Sequence, residues 1–182
     1  MEANEQKIIK LCKQGSKEGY ELLFNKYRRF IYSVCLHYVG SKEDALDLTQ
    51  EVFIKIYRSL ATFDESRPLM PWIKRISVNT CFNYSRVPTE FILKEDVAAG
   101  LADHNTPEEQ VVFQSTKAEV QRAIKDLPDN ERMALVLRHV QGLSYGDIGE
   151  TMECPLGTVK TYIFRGRNLL REKLKAAGIW EE

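Results

Sequence analysis

The sequence offers little on which reaction chemistry could be built. Its four cysteines, Cys12, Cys35, Cys81 and Cys154, lie far apart and never form C-x-x-C. Neither a zinc site nor a disulfide framework is suggested, and small buried thiols are expected instead. His37, His104 and His139 have no second ligand three or four residues away, so metal and Cys/His nucleophile patterns are missing. The glycine-rich cradles G-x-G-x-x-G and G-x-x-x-x-G-K-[ST] are absent, which removes the usual nucleotide sites. The expectations are no cofactor, no metal, no small-molecule substrate and no enzymatic activity. No apolar run approaches the about 18 residues needed to span a bilayer, and the opening MEANEQKIIK lacks a secretory apolar core; a cytoplasmic location is predicted.

What the chain does have is segregated charge. Lysine plus arginine and aspartate plus glutamate both number 26, yet residues 67–86 carry Arg67, Lys74, Arg75 and Arg86 with no carboxylate. Residues 158–175 carry Lys160, Arg165, Arg167, Arg171, Lys173 and Lys175 against Glu172 alone. Between them, residues 87–117 are acidic, with Glu90, Glu95, Asp96, Asp103, Glu108 and Glu109 against two lysines. Paired basic patches suit phosphate contacts, and overall neutrality weakens indiscriminate binding to polyanions.

Helical punctuation dominates and strand alternation is scarce. Ser16 is placed to cap a helix that Gly40 stops, Ser41 to cap the next with Asp44 at the capping-box position, and Pro71 to open a third. A short helix near residues 4–14 precedes them. Residues 87–105 lack a sustained period and read as a linker, after which Thr106, Pro107 and Glu109 mark a sharp helix start. Further helices should end near Asp126 and at Gly142, and Ser144 with Asp147 should cap a short helix over 145–152. The last helix begins near Leu156 and ends before Gly178. The expected fold is all-α, with two helical domains, residues 1–86 and 106–182, joined by a flexible acidic linker, residues 87–105.

The short helix and the last one, separated by "ECP", have helix-turn-helix spacing. At 100° per residue, Val159, Ile163, Gly166, Leu170 and Leu174 form a core face, and Gly166 allows close approach to helix 145–152. The opposite face presents Lys160, Thr161, Phe164, Arg165, Asn168 and Arg171, which mixes phosphate-seeking cations with groups able to reach base edges. On the helix over 42–61, Ala45, Leu48, Val52, Phe53, Ile56 and Leu60 share the buried face, while Asp44, Asp47, Glu51 and Arg58, flanked by Gln50 and Ile54, share the other. That carboxylate stripe with an apolar residue suits a partner bearing cations. In residues 67–86, Ile73, Ile76, Thr80 and Tyr84 point inward, and Trp72, Arg75, Asn79, Asn83 and Arg86 outward. Rings, amides and cations on one side equip it for single-stranded DNA.

Three stretches resemble a known family. "LPDNERMALVLRHVQGLSYGDIGETMECPLGTVKTYIFRGRNLLREKL", residues 127–174, resembles region 4 of bacterial RNA polymerase σ factors of the extracytoplasmic-function (ECF) type. Its "PLGTVKTYIFRGRNLL" is close to the family's P-x-G-T-V-K-[ST]-R-x-x-R-[AG]-R-x-x-L, departing at Tyr162 for an arginine; Glu153 stands where a turn glycine is common. "EDALDLTQEVFIKIYRSLATFD", residues 43–64, is similar to region 2.2, with Asp47, Leu48, Gln50, Glu51 and Phe53 matching D-L-x-Q-E-x-F. Residues 62–86 resemble regions 2.3 and 2.4.

The resemblance implies a protein that binds core RNA polymerase through the β′ coiled coil and the β flap, reads the −35 promoter duplex and captures melted −10 DNA. It implies core-polymerase contacts at Asp44, Asp47, Leu48, Gln50, Glu51, Phe53, Ile54 and Arg58. Single-strand contacts are implied at Phe63, Arg67, Trp72, Lys74, Arg75, Asn79, Asn83 and Arg86. For the duplex it adds Thr158, Tyr162 and Arg167 to the exposed face of the last helix. An anti-σ factor, often membrane-anchored in this family and so able to hold the chain at the inner membrane, is implied as a further partner. The competing reading is a duplex-binding regulator, since "GLSYGDIGETM…GTVKTYI" also resembles the helix-turn-helix of LuxR-type proteins; a helical interaction module is a third. A linker of about 19 residues reaches about 65 Å, nearly two duplex turns of ~34 Å, so two separated DNA contacts are within range.

Overall fold

The computed structural model describes residues 3–85 and 118–180, and all regular structure among them is helical. Four helices form the N-terminal half: α1 (Ala3–Lys13), α2 (Lys17–Val39), α3 (Lys42–Leu60) and α4 (Leu69–Ser85). In the C-terminal half, residues 118–125 are helical (α5), followed by α6 (Asp129–Leu135), α7 (Tyr145–Met152) and α8 (Leu156–Ala176). The expected linker over 87–105, the helix start at Thr106 and the candidate Arg86 lie outside the described residues.

Local chemistry sets most boundaries. Gly40 ends α2 at φ 80°, a left-handed conformation that costs glycine nothing. Ser41 Oγ accepts the Asp44 N–H at 3.3 Å, whereas Ser16 has the extended backbone of a cap without a side-chain bond. Pro71 falls in the first turn of α4, which begins two residues earlier at Leu69; a missing N–H matters little there. After α6 the chain winds wider over Val136–Val140, with Gln141 N–H bonded five residues back to Val136 O at 3.2 Å. A sequence period of 3.6 does not anticipate such a turn.

The N-terminal core is built from Leu23, Ile31 and Tyr38 of α2, Leu48, Val52 and Ile56 of α3, and Ile73 and Val78 of α4, all buried. Cys12, Cys35 and Cys81 are buried free thiols and Cys154 is half-buried. Gly19 marks a tight crossing: a Cβ there would meet Cys12 N and Leu11 Cβ at 2.7 Å. The C-terminal core gathers Leu127, Met133, Leu137, Ile148, Val159 and Ile163.

The halves also touch, α4 against α7 and α2 against the turn after α6. The Arg132 guanidinium lies 4.8 Å over the Tyr38 ring and donates to Tyr38 O at 3.3 Å. Gln141 Nε2 donates to Ser33 Oγ at 2.9 Å.

Candidate nucleic-acid interface

The helix-turn-helix is assembled by a reciprocal cap. Ser144 Oγ accepts the Asp147 N–H at 3.1 Å, and Asp147 Oδ2 accepts the Ser144 N–H at 3.2 Å and its hydroxyl at 2.6 Å. Those bonds, the hydroxyl's first, hold the Asp147 carboxyl below its ordinary range. Three residues then turn the chain into α8. Glu153 takes φ 53° and ψ 43°, and no other non-glycine among the described residues has positive φ. An L-residue with a Cβ sits there at a cost of roughly 1 kcal/mol.

The glycine roles differ from the sequence reading. A Cβ on Gly166 would meet Leu135 Cδ1 at 3.1 Å and Glu131 Cβ at 3.3 Å, so α8 closes on α6 there rather than on α7. The close approach inside the motif belongs to Gly149 of α7, whose Cβ would lie 2.9 Å from Cys154 O.

On α8 the helical wheel holds. Val159, Ile163, Gly166 and Leu174 are buried and Leu170 is half-buried, while Lys160, Thr161, Phe164, Arg165, Arg167 and Arg171 are exposed. Phe164 keeps 67% of its surface in solvent, a large ring that the described residues leave mostly uncovered. Some polar groups are already engaged: Thr161 Oγ1 donates to Gly157 O at 3.0 Å, and Arg171 Nη2 to Asn168 Oδ1 at 2.9 Å. Arg167 Nη2 lies 3.2 Å from His139 Nε2. Thr158, Tyr162 and Asn168 are half-buried, and Tyr162 packs against the core instead of projecting as an arginine would.

His139 is held below its ordinary pKa by burial first, then by Arg167 and Arg138. The unfolded chain therefore takes up that proton more readily, and stability should be lost as pH falls below about 6.5. Thermal melts at about pH 7.5 and 5.5 should show a smaller acid-induced drop for His139→Gln than for the wild type. Equal drops would remove His139 from the account.

On α4, Arg75, Asn79 and Asn83 are exposed, Lys74 is half-buried, and Arg67 in the preceding loop is exposed. Trp72 is half-buried, with its ring 4.7 Å from that of Phe63. Phe63 is itself 7% exposed, so it supports Trp72 from below rather than offering a free stacking surface. The inward side is broader than periodicity suggested, because Ser77 is buried as well as the inward-assigned Thr80. Their hydroxyls bond the carbonyls of Ile73 and Ile76, both at 2.8 Å. Tyr84 is half-buried and, through burial above all, its hydroxyl is pushed up to about 12.

On α3 the six apolar residues assigned to the inner face are all buried. Asp47, Gln50, Glu51, Ile54 and Arg58 are exposed and Asp44 half-exposed. Leu48 at 2% and Phe53 at 4% exposure are core residues; they fix the helix beneath the stripe and cannot themselves reach a partner. Glu51 is paired with Lys55 at 2.6 Å, and Lys55 reaches Thr80 Oγ1 at 3.3 Å. Phe24 of α2 extends this surface, 39% exposed and 4.8 Å from the Phe53 ring. The D-L-x-Q-E-x-F motif does not contain Phe24, which joins this surface only because α2 packs on α3.

Among the described residues there is no cluster of three potential metal ligands, and no helix is long and apolar enough to cross a membrane. A helix-turn-helix with a cationic outer face, joined to a helical half bearing an acidic stripe and a basic aromatic one, defines a nucleic-acid-binding class of protein. Two family models match it: σ70 region 2 over residues 23–87 and σ70 region 4 over residues 117–170. The chain is 37% identical to the ECF RNA polymerase σE factor of Haemophilus influenzae over 181 residues, covering 94% of this chain and 95% of that one. It is 35% identical to the ECF RNA polymerase σ factor SigW of Bacillus subtilis over 185 residues, covering 96% and 99%.

The fold matches CnrH, solved with the cytosolic domain of CnrY, at a TM-score of 0.69 and 17% identity, covering 95% of this chain and 98% of that one. It also matches RpoE of Bartonella quintana, solved with the anti-σ factor NepR, at 0.64 and 22%, covering 86% and 96%. The chain belongs to the ECF σ factors of bacterial RNA polymerase, which bind the core enzyme and direct promoter-specific initiation. The LuxR-type reading falls, because region 2 has no place in it.

Proposed function

We propose that residues 1–86 dock on core polymerase and trap the melted −10 strand, that residues 106–182 read the −35 duplex, and that residues 87–105 link them. The exposed side of α3, centred on Asp47, Gln50 and Ile54, faces the β′ coiled coil. Arg67, Trp72, Lys74, Arg75, Asn79, Asn83 and Arg86 handle the single strand, and Lys160, Thr161, Phe164, Arg165, Arg167 and Arg171 the duplex. The chain works by binding alone, with the chemistry left to the polymerase in the cytoplasm. An anti-σ factor is a further partner, as NepR is for RpoE of Bartonella quintana.

The observation that carries the −10 assignment is α4. Two exposed amides one helical turn apart, Asn79 and Asn83, continue a line begun by the half-buried indole of Trp72 and the exposed guanidinium of Arg75, and the opposite side is sealed into the core. An amide can pair with an unstacked base edge, and an aromatic platform contributes about 1–3 kcal/mol per stacked base. With purified core enzyme, the chain should direct initiation on a cognate promoter selected by the holoenzyme. Asn79→Ala should lower open-complex formation, read by permanganate footprinting, more than it lowers closed-complex binding. Equal losses in both would remove Asn79 from the strand pocket.

A further inference from the structure

Glu153 presents an unexplained choice. Its position in the turn demands a left-handed backbone that glycine adopts freely, and glutamate holds it under strain. The side chain supplies a reason. Glu153 Oε1 lies 3.1 Å from Nε of Arg75, a residue of α4 in the other half of the chain, and Arg75 Nη2 also reaches Glu150 O at 3.5 Å. Lys74 beside it acts on the Asp147 carboxyl of the same motif. The anionic end of the helix-turn-helix thus sits against the cations that the −10 strand requires. At the far side of the contact, Arg132 and Gln141 fasten α2 to the C-terminal half.

We propose that Glu153 is a clasp: it holds the free chain closed and occupies the Arg75 guanidinium, so that single-stranded DNA must displace it. The inference rests on the −10 assignment of α4 given above. One guanidinium edge cannot serve a carboxylate and a phosphate at once, so closure and strand binding compete. Apparent affinity for the strand is then reduced by the fraction of chains in the open form. Both partners are half exposed, with side chains 48% and 58% accessible, so the clasp is an adjustable bias and not a lock.

The test uses the full chain without polymerase, spin-labelled at Lys42 and Glu172 by cysteine-independent chemistry and read by pulsed dipolar spectroscopy. Glu153→Gln keeps the backbone strain and removes the charge, and Glu153→Gly removes both. Both variants should raise the open-to-closed ratio about two- to fivefold, the scale of an exposed ion pair. Raising salt from about 0.05 to 0.5 M should widen the wild-type distances clearly more than those of Glu153→Gln, in which only the weaker attraction between Lys74 and Asp147 is left to screen. In parallel, both variants should bind a −10 non-template oligonucleotide about two- to fivefold more tightly. Distance distributions identical to wild type at both salt levels would overturn the clasp. Wider distances without tighter oligonucleotide binding would uphold the clasp and overturn the assignment of the Arg75 face to the strand.

Discussion

Asp47→Lys should reduce affinity for core RNA polymerase by about 100-fold or more while the chain stays folded. Asp47 is exposed on α3, and the residues that seat that helix, Ala45, Leu48, Val52 and Ile56, are buried beneath it. A lysine can therefore be accommodated without disturbing the core. Across a docked interface the reversal places like charges together, which costs several kcal/mol, and each 1.4 kcal/mol is about a tenfold change in affinity. Glu51 is a poorer choice for this experiment because it already pairs with Lys55, which in turn ties α3 to α4. Fluorescence anisotropy with purified core enzyme reads the loss, and circular dichroism the retained helices. Unchanged affinity would show that this stripe does not face the polymerase.

The second large effect is expected at Arg165. Its side chain is exposed on α8 about two and a half helical turns from the N-terminal end, on the face opposite Val159 and Ile163. A bidentate arginine–guanine contact contributes about 1–3 kcal/mol of discrimination. Arg165→Ala should accordingly weaken holoenzyme binding to a −35 duplex by roughly 5- to 150-fold and flatten base preference at one position. Lys160→Ala is the informative control: a phosphate contact should weaken all sequences alike and lower the salt dependence by about one ion. If Arg165→Ala behaves like Lys160→Ala, the arginine holds the backbone and the base reader lies elsewhere on α8.

The helical architecture was legible because each boundary rests on chemistry local to it: Gly40, Ser41, Pro71, Gly142 and the Ser144–Asp147 cap act within a turn of themselves. Facing directions on α3 and α8 followed from periodicity for the same reason. The wheel was less accurate on α4, where Ser77 hides its hydroxyl on the carbonyl of Ile73 and so enters the core without cost to hydrogen bonding, while Ile76 and Tyr84, assigned inward, are only half-buried. A motif match also names residues without saying how they act. Leu48, Phe53 and Phe63 belong to matched segments, yet they lie inside the fold and work by holding exposed neighbours in place. What no local rule contains is contact across the chain. Arg75 meets Glu153 and Arg132 meets Tyr38 over separations of dozens of residues, and nothing in either segment's pattern selects the other. The Glu153 departure from glycine was visible, but its meaning required the partner.

One of those contacts bears on how the molecule melts. The carbonyl of Tyr38 is among the last in α2, where intrahelical donors have run out, and its donor comes from Arg132. A helix of the N-terminal half is thus finished by a residue of the C-terminal half, whose side chain is only 12% exposed and also bonds Leu127 O at 2.9 Å. Losing the contact takes that donor from the end of α2 and opens the Arg132 guanidinium, still bonded to Leu127 O and paired with Asp129, to water. The buried apolar cluster runs on across both halves, so the two form one cooperative unit that heat should reach together.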